Sequence, residues 1–187
     1  LLTPAASSAM VAPSDRAIVP LLAGVADRAG GRFAVLAGND HDSHATLVEL
    51  RRALRLRPTG PSAVVEVAPE EDVAEAVARV LAGKPQAVIV LAPAVRGGQL
   101  VAALRGAGFG GTVAGGAPFG RAAFARAAGD AAEGVLAPIA GAGSGPAWEA
   151  LFRAYEARWG ERPDAAATHG CDALRLTVAA VRRRGPA

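Results

Sequence analysis

Ala87-Val88-Ile89-Val90-Leu91-Ala92 is an apolar run with no polar residue alternating through it. A strand with one wet face alternates, so an unbroken run reads as a strand covered on both sides, as in a parallel sheet between helical layers. Phe33-Ala34-Val35-Leu36-Ala37 reads the same way. Working outward, further strands are expected at Ala63–Val67, Thr112–Ala114 and Val135–Ile139. Helices are expected between them: about Arg16 to Arg28, capped by Ser14 or Asp15; from Gly38-Asn39-Asp40-His41-Asp42-Ser43-His44 to about Leu56; from Pro69-Glu70-Glu71-Asp72 to Gly83; across Gln99–Arg105; and across Arg121–Ala128. Acids in a first turn favour the helix dipole, and Gly30-Gly31 and Gly83 are stop signals. Strands alternating with helices predict an α/β fold, a doubly wound (Rossmann-like) five-stranded parallel sheet with helices on both faces.

After Ile139 the pattern changes. Ala140-Gly141-Ala142-Gly143-Ser144-Gly145-Pro146 reads as a connector, and two helices follow it with no strand between or after them. Trp148, Leu151, Phe152, Tyr155 and Trp159 recur at helical spacing, and Leu174, Leu176, Val178 and Val181 belong to a last helix ending in Arg182-Arg183-Arg184.

Composition bounds the function. The 187 residues are 51% hydrophobic, enough for a core, and carry a formal charge of +3. Only 4% are aromatic, so stacking platforms for single-stranded nucleic acid are scarce, and most arginines alternate with acids at helical spacing. The lone Cys171 excludes an internal disulfide and an all-cysteine metal knuckle. The apolar runs fall well short of a membrane span, and no charged-then-apolar segment opens the sequence. Either the protein is cytoplasmic or its leader has been removed.

Ligands of such sheets sit outside the carboxyl ends of the strands, which singles out the loops at Gly38–His44, Ala92–Val95, Gly115–Pro118 and the connector from Ala140. His41 and His44, three apart with Asp40 and Asp42 beside them, could share a metal, but no acid or histidine recurs at the other strand ends. The same acids and Ser43 serve equally as turn and N-cap oxygens. Gly141-Ala142-Gly143-Ser144-Gly145 has neither the spacing nor the position of a dinucleotide loop, and Ser144 is not in a nucleophile elbow. Cys171 near His169 lacks a third partner. Nothing here nominates an enzyme, and no cofactor is expected.

Several stretches together resemble the periplasmic solute-binding proteins of the leucine/isoleucine/valine type, receptors of ABC importers. They are Leu1-Leu2-Thr3-Pro4-Ala5-Ala6-Ser7, Ser14-Asp15 before a helix and strand, and Gly129-Asp130-Ala131-Ala132-Glu133-Gly134-Val135. Toward the C-terminus, Phe152-Arg153-Ala154-Tyr155, Gly160-Glu161-Arg162-Pro163, Ala165-Ala166-Ala167 and Cys171-Asp172-Ala173-Leu174 continue the match. The resemblance keeps its order across essentially the whole chain. It implies one lobe of a two-lobed clamp: residues 1–14 as a first-lobe segment and crossing, 15–139 as the second-lobe α/β domain, and 140–187 as the return crossing and helices of the first lobe. The hinge would lie near Val11–Ser14 and Ala137–Gly141. The family's opening half-lobe and terminal strand pair have no counterpart, so a fragment or shortened relative is expected.

Carried over residue by residue, the resemblance implies that Ala5, Ala6 and Ser7 hold a ligand carboxylate. His41 and Ser43 stand in the loop where the family places an aromatic cover, Pro93 and Ala94 stand where it has another aromatic, and Cys171 where a tyrosine is usual. Gly116 and Ala117 stand where the partner of an amino-acid ammonium is expected, and Gly115–Phe119 has no carboxylate. Burying an ammonium there without a partner costs several kcal/mol. The implied protein is therefore a periplasmic or extracellular receptor, lipid-anchored in a full-length parent, that passes a carboxylate- or amide-containing solute, in one reading aromatic, to ABC permease subunits. Standard branched-chain amino acids are disfavoured. The same fold also serves as a sensing domain of signalling receptors, and a metal-dependent hydrolase using His41, Asp42 and His44 is a third reading. Apolar helix faces left uncovered would favour self-association.

Overall fold

The computed structural model describes residues 15–58, 60–138 and 145–184. Among them are seven helices, α1 (Asp15–Arg28), α2 (His41–Leu54), α3 (Val73–Leu81), α4 (Ala94–Gly106), α5 (Ala122–Ala128), α6 (Pro146–Trp159) and α7 (Ala165–Arg184). Four strands, β1 (Phe33–Gly38), β2 (Ala63–Val67), β3 (Ala87–Leu91) and β4 (Thr112–Gly115), form one parallel sheet of order β2-β1-β3-β4. The chain divides into two compact units, Ser14–Ile139 and the segments Leu1–Pro13 with Ala140–Ala187.

In the first unit the two central strands are buried along their whole length, as their unbroken apolar runs require. Phe33, Val35, Ile89 and Leu91 face one layer, packed on Ile18, Leu22 and Val25 of α1 and Leu47, Leu50 and Leu54 of α2. The alternate residues Leu36, Val88 and Val90 face the other, against Val77 and Val80 of α3 and Leu100, Val101 and Leu104 of α4. Each helix thus buries one stripe at spacings of three, four and seven. β2 is an edge strand, with Ala63, Val64 and Val65 only half-buried and Glu66 exposed.

The fifth expected strand is a correction. Ala114 and Leu136 form a single parallel bridge, with the Gly115 N–H donating to the Leu136 carbonyl (2.8 Å) and the Leu136 N–H to the Val113 carbonyl (2.9 Å). The next donor on that edge would be residue 138. It is proline, which has no N–H, so the ladder stops after one rung. Ile139 lies outside the described residues.

Other differences are local. Pro69–Glu71 form a turn and Asp72 caps α3, its carboxylate accepting from the Ala74 N–H at 2.8 Å, so that helix begins three residues after Glu70. α4 begins at Ala94, directly after β3, and is longer than its Gln99–Arg105 centre. In the second unit, Asp164 caps α7 through the Ala167 N–H (2.9 Å), and Trp148 meets Phe152 edge-on along α6 at 6.0 Å. Of the expected hinge segments, Val11–Ser14 lies outside the described residues, and of Ala137–Gly141 only Ala137 and Pro138 lie within them.

Candidate functional site

Strand order reverses between β1 and β3, and the loops leaving these strands flank the crevice where open α/β sheets take ligands. The β1 loop is two residues long. Asn39 is exposed and its N–H donates to the Val67 carbonyl at 3.3 Å, joining the ends of β1 and β2. Asp40 is the N-cap of α2, and its carboxylate accepts from the Ser43 N–H at 3.1 Å. Burial opposes ionisation of Asp40, but hydrogen bonds from the Ser43 hydroxyl and from the N–H groups of Ser43, Asp40 and Asp42 outweigh it. They hold its carboxyl below the ordinary value of 3.8. A Cβ on Gly38 would lie 2.7 Å from this carboxylate, so glycine is required for the cap to close over the strand end.

Ser43 is 6% exposed, turned beneath Asp40 toward Gly38. It stands under the loop, whereas His41, Asp42 and His44 are exposed on it. Among the described residues no group of three or more His, Cys, Asp or Glu side chains could hold a metal ion.

At the end of β3, Ala92 and Ala94 are buried, Pro93 is exposed and Val95 is 52% exposed. Pro93 occupies the N-cap position of α4 and gives no side-chain cap, and the first turn of α4 has no acid. The free N–H groups of that turn therefore remain available. Arg96 reaches from the same turn to the carbonyls of Ala68 (3.2 Å) and Glu71, tying the β2–α3 loop to α4. Its Nε is buried without a partner among the described residues.

At the end of β4, Gly116 is buried and Ala117 exposed, opening a 3₁₀ turn, Ala117–Gly120, that carries Phe119 inward. Phe119 stacks on Phe124 with ring centres 4.0 Å apart, and a Cβ on Gly97 or Gly115 would collide with its ring. The carboxyl edge thus brings together His41, Pro93, Ala94, Gly116 and Ala117. Cys171 lies half-buried on α7 in the other unit, and Ala5, Ala6 and Ser7 lie outside the described residues. Reading the sequence missed Arg96 and Phe119. The signal for Phe119 was there in Gly97-Gly98 and Gly115-Gly116, since paired glycines mark close approach; an arginine bonded to loop carbonyls leaves no such mark.

An open parallel sheet of this order gathers its strand-following loops at one carboxyl edge, where ligands of such sheets sit. The chain belongs to the periplasmic binding protein family, whose model matches residues 5–187. A substrate-binding periplasmic protein from Ralstonia solanacearum is 23% identical, with a TM-score of 0.78 over 94% of this chain and 52% of its own. A solute-binding protein of an ABC transporter from Rhodopseudomonas palustris, solved with 3,4-dihydroxybenzoic acid, is 21% identical, with a TM-score of 0.78 over 92% of this chain and 50% of its own. A leucine-binding protein from Thermotoga maritima is 18% identical, with a TM-score of 0.71 over 88% and 49%. The chain spans about half the length of these solved structures. None of the curated proteins matches it. No helix among the described residues is long and apolar enough to cross a membrane.

Proposed function

We propose that this chain is the second lobe of an extracytoplasmic receptor that captures a carboxylate- or amide-containing solute lacking a free ammonium and delivers it to an ABC importer. The observation that carries the reading is the chemistry of the edge beyond β3 and β4. Pro93–Arg96 and Gly116–Gly120 contain no carboxylate, and α4 presents an uncapped N-terminus there. Such an end favours an anion and leaves an ammonium unpaired. Asp40, the nearest acid in the β1 loop, is occupied by Ser43 and the α2 cap.

The small residues Pro93, Ala94 and Ala117 leave room for a flat ring, and the Rhodopseudomonas palustris relative was solved with an aromatic acid. On this reading the lobe binds and does not catalyse, and the residues expected at the solute are His41, Pro93, Ala94, Gly116 and Ala117, with Ala5, Ala6, Ser7 and Cys171 from the rest of the chain. Isothermal titration of the full-length protein that carries this chain should give heats with 3,4-dihydroxybenzoate or a related aromatic acid and none with leucine. Tight binding of free leucine would overturn the reading.

A further inference from the structure

The edge of the sheet opposite the candidate ligand loops gathers positive charge. The N-terminal ends of the strands are stitched together there by backbone hydrogen bonds. Ser62 N–H donates to the Phe33 carbonyl (2.7 Å), Gln86 N–H to Arg32 (2.7 Å) and Thr112 N–H to Gln86 (3.0 Å). Around this seam stand the exposed side chains of Arg28 at the end of α1, Arg32 before β1, Arg52 and Arg55 at the end of α2, and Lys84 after α3.

Asp27, the acid at the end of α1, is already engaged: both its oxygens accept from Arg57, at 2.6 and 2.9 Å. Asp130 and Glu133, after α5, are exposed at the β4 end of the same edge, so the excess of cations lies around the starts of β1, β2 and β3. At the carboxyl edge, by contrast, exposed acids and bases are mixed, with Asp42, Glu70, Asp72 and Glu75 beside the ends of β1 and β2 and Arg121 beyond β4.

Two features exceed what helix dipoles demand. A base in the last turn of a helix needs no special explanation, but Arg32 and Lys84 lie in loops. Lys84 also holds a left-handed backbone (φ 46°), a conformation glycine would adopt at lower cost, and it is the only non-glycine with positive φ among the described residues. Leu56, between Arg55 and Arg57, is 93% exposed at the same edge.

We propose that this basic edge docks on an anionic phospholipid surface. Cations around one exposed apolar side chain suit a headgroup layer, where charge supplies attraction and the leucine enters the boundary. A protein partner would call for aromatic anchors in desolvated pockets, and Arg28, Arg32, Arg52, Arg55, Leu56 and Lys84 include none. The inference does not depend on which solute is bound.

Sedimentation of the whole chain with vesicles tests it. At low salt the protein should pellet with phosphatidylglycerol mixed into phosphatidylcholine, stay in solution with phosphatidylcholine alone, and be released by raised salt. The variant Arg52→Gln/Arg55→Gln, at exposed positions where an unchanged circular dichroism spectrum checks folding, should lower partitioning by roughly tenfold or more. Arg121→Gln/Arg153→Gln, removing the same charge elsewhere, should partition like wild type. Failure to bind phosphatidylglycerol vesicles, undiminished binding by the first variant, or equal loss in both would each overturn the proposal; the first result would also be that of an acidic protein partner.

Discussion

Asp40 shows how much one side chain decides at the carboxyl edge of the sheet. It closes α2, takes both polar groups of Ser43 and needs the missing Cβ of Gly38 to do so. Asp40→Ala should therefore lower stability by about 1 kcal/mol, the usual value of an N-cap. Because its folded carboxyl ionises more readily than an unfolded one, its contribution is complete above the unfolded value of 3.8 and is lost as pH falls through the lower folded value. Urea midpoints of wild type and Asp40→Ala should differ most near neutrality and converge in acid, while Asp40→Asn keeps the cap and loses that acid dependence. A difference that widens on acidification would contradict this assignment. The capping role of Asp40 was legible from an acid three residues before Ser43 at a strand-to-helix turn. The burial of Ser43 was not, because which face of the first turn points inward depends on how the strand end meets the helix, and no spacing in the sequence fixes that contact.

Among the elements, β1, β2 and β3 were legible almost to the residue, β1 and β3 because strands covered on both sides must be continuous apolar runs. The fifth strand was not, since an apolar run does not reveal that Pro138 falls at the position of the next ladder donor. The seat of α5 on α4 was marked only by paired glycines, which do not say what approaches them. A Cβ on Gly98 would lie 2.6 Å from the Cβ of Ala127 and 2.8 Å from the Phe124 carbonyl, and Gly115 opens the space that Phe119 fills. Gly98→Ala should cost about 1–3 kcal/mol, the range for overpacking against atoms that cannot move aside. Gly115→Ala should cost a similar amount in wild type but little in a Phe119→Ala background, itself about 3–5 kcal/mol less stable, because the ring is the obstacle. Equal penalties for Gly115→Ala in both backgrounds, measured by urea unfolding, would show that backbone strain and not Phe119 requires the glycine.

At the scale of the whole molecule, the two units differ in what holds them. In Ser14–Ile139 both faces of the sheet are covered by helices whose stripes are fully buried. In α6 and α7, Thr168 is the only buried residue among those described, and Trp159, Leu174, Leu176 and Val181 are each more than half exposed. Helices of this length gain most of their stability from a packed face, and without one they sit near the balance point between helix and coil. Amide hydrogen exchange should therefore separate the chain into two classes. Amides of β1, β3 and the buried turns of α2 and α4 should exchange only through global unfolding, whereas those of α6 and α7 should exchange orders of magnitude faster, through local opening. Addition of urea should leave the fast class nearly unchanged and accelerate the slow class, since only global unfolding exposes the sheet core. Protection of α6 and α7 equal to that of β3 would mean that their apolar side chains are covered in solution, by a second copy of the chain or by the rest of a longer protein, and concentration dependence of that protection would tell the two apart.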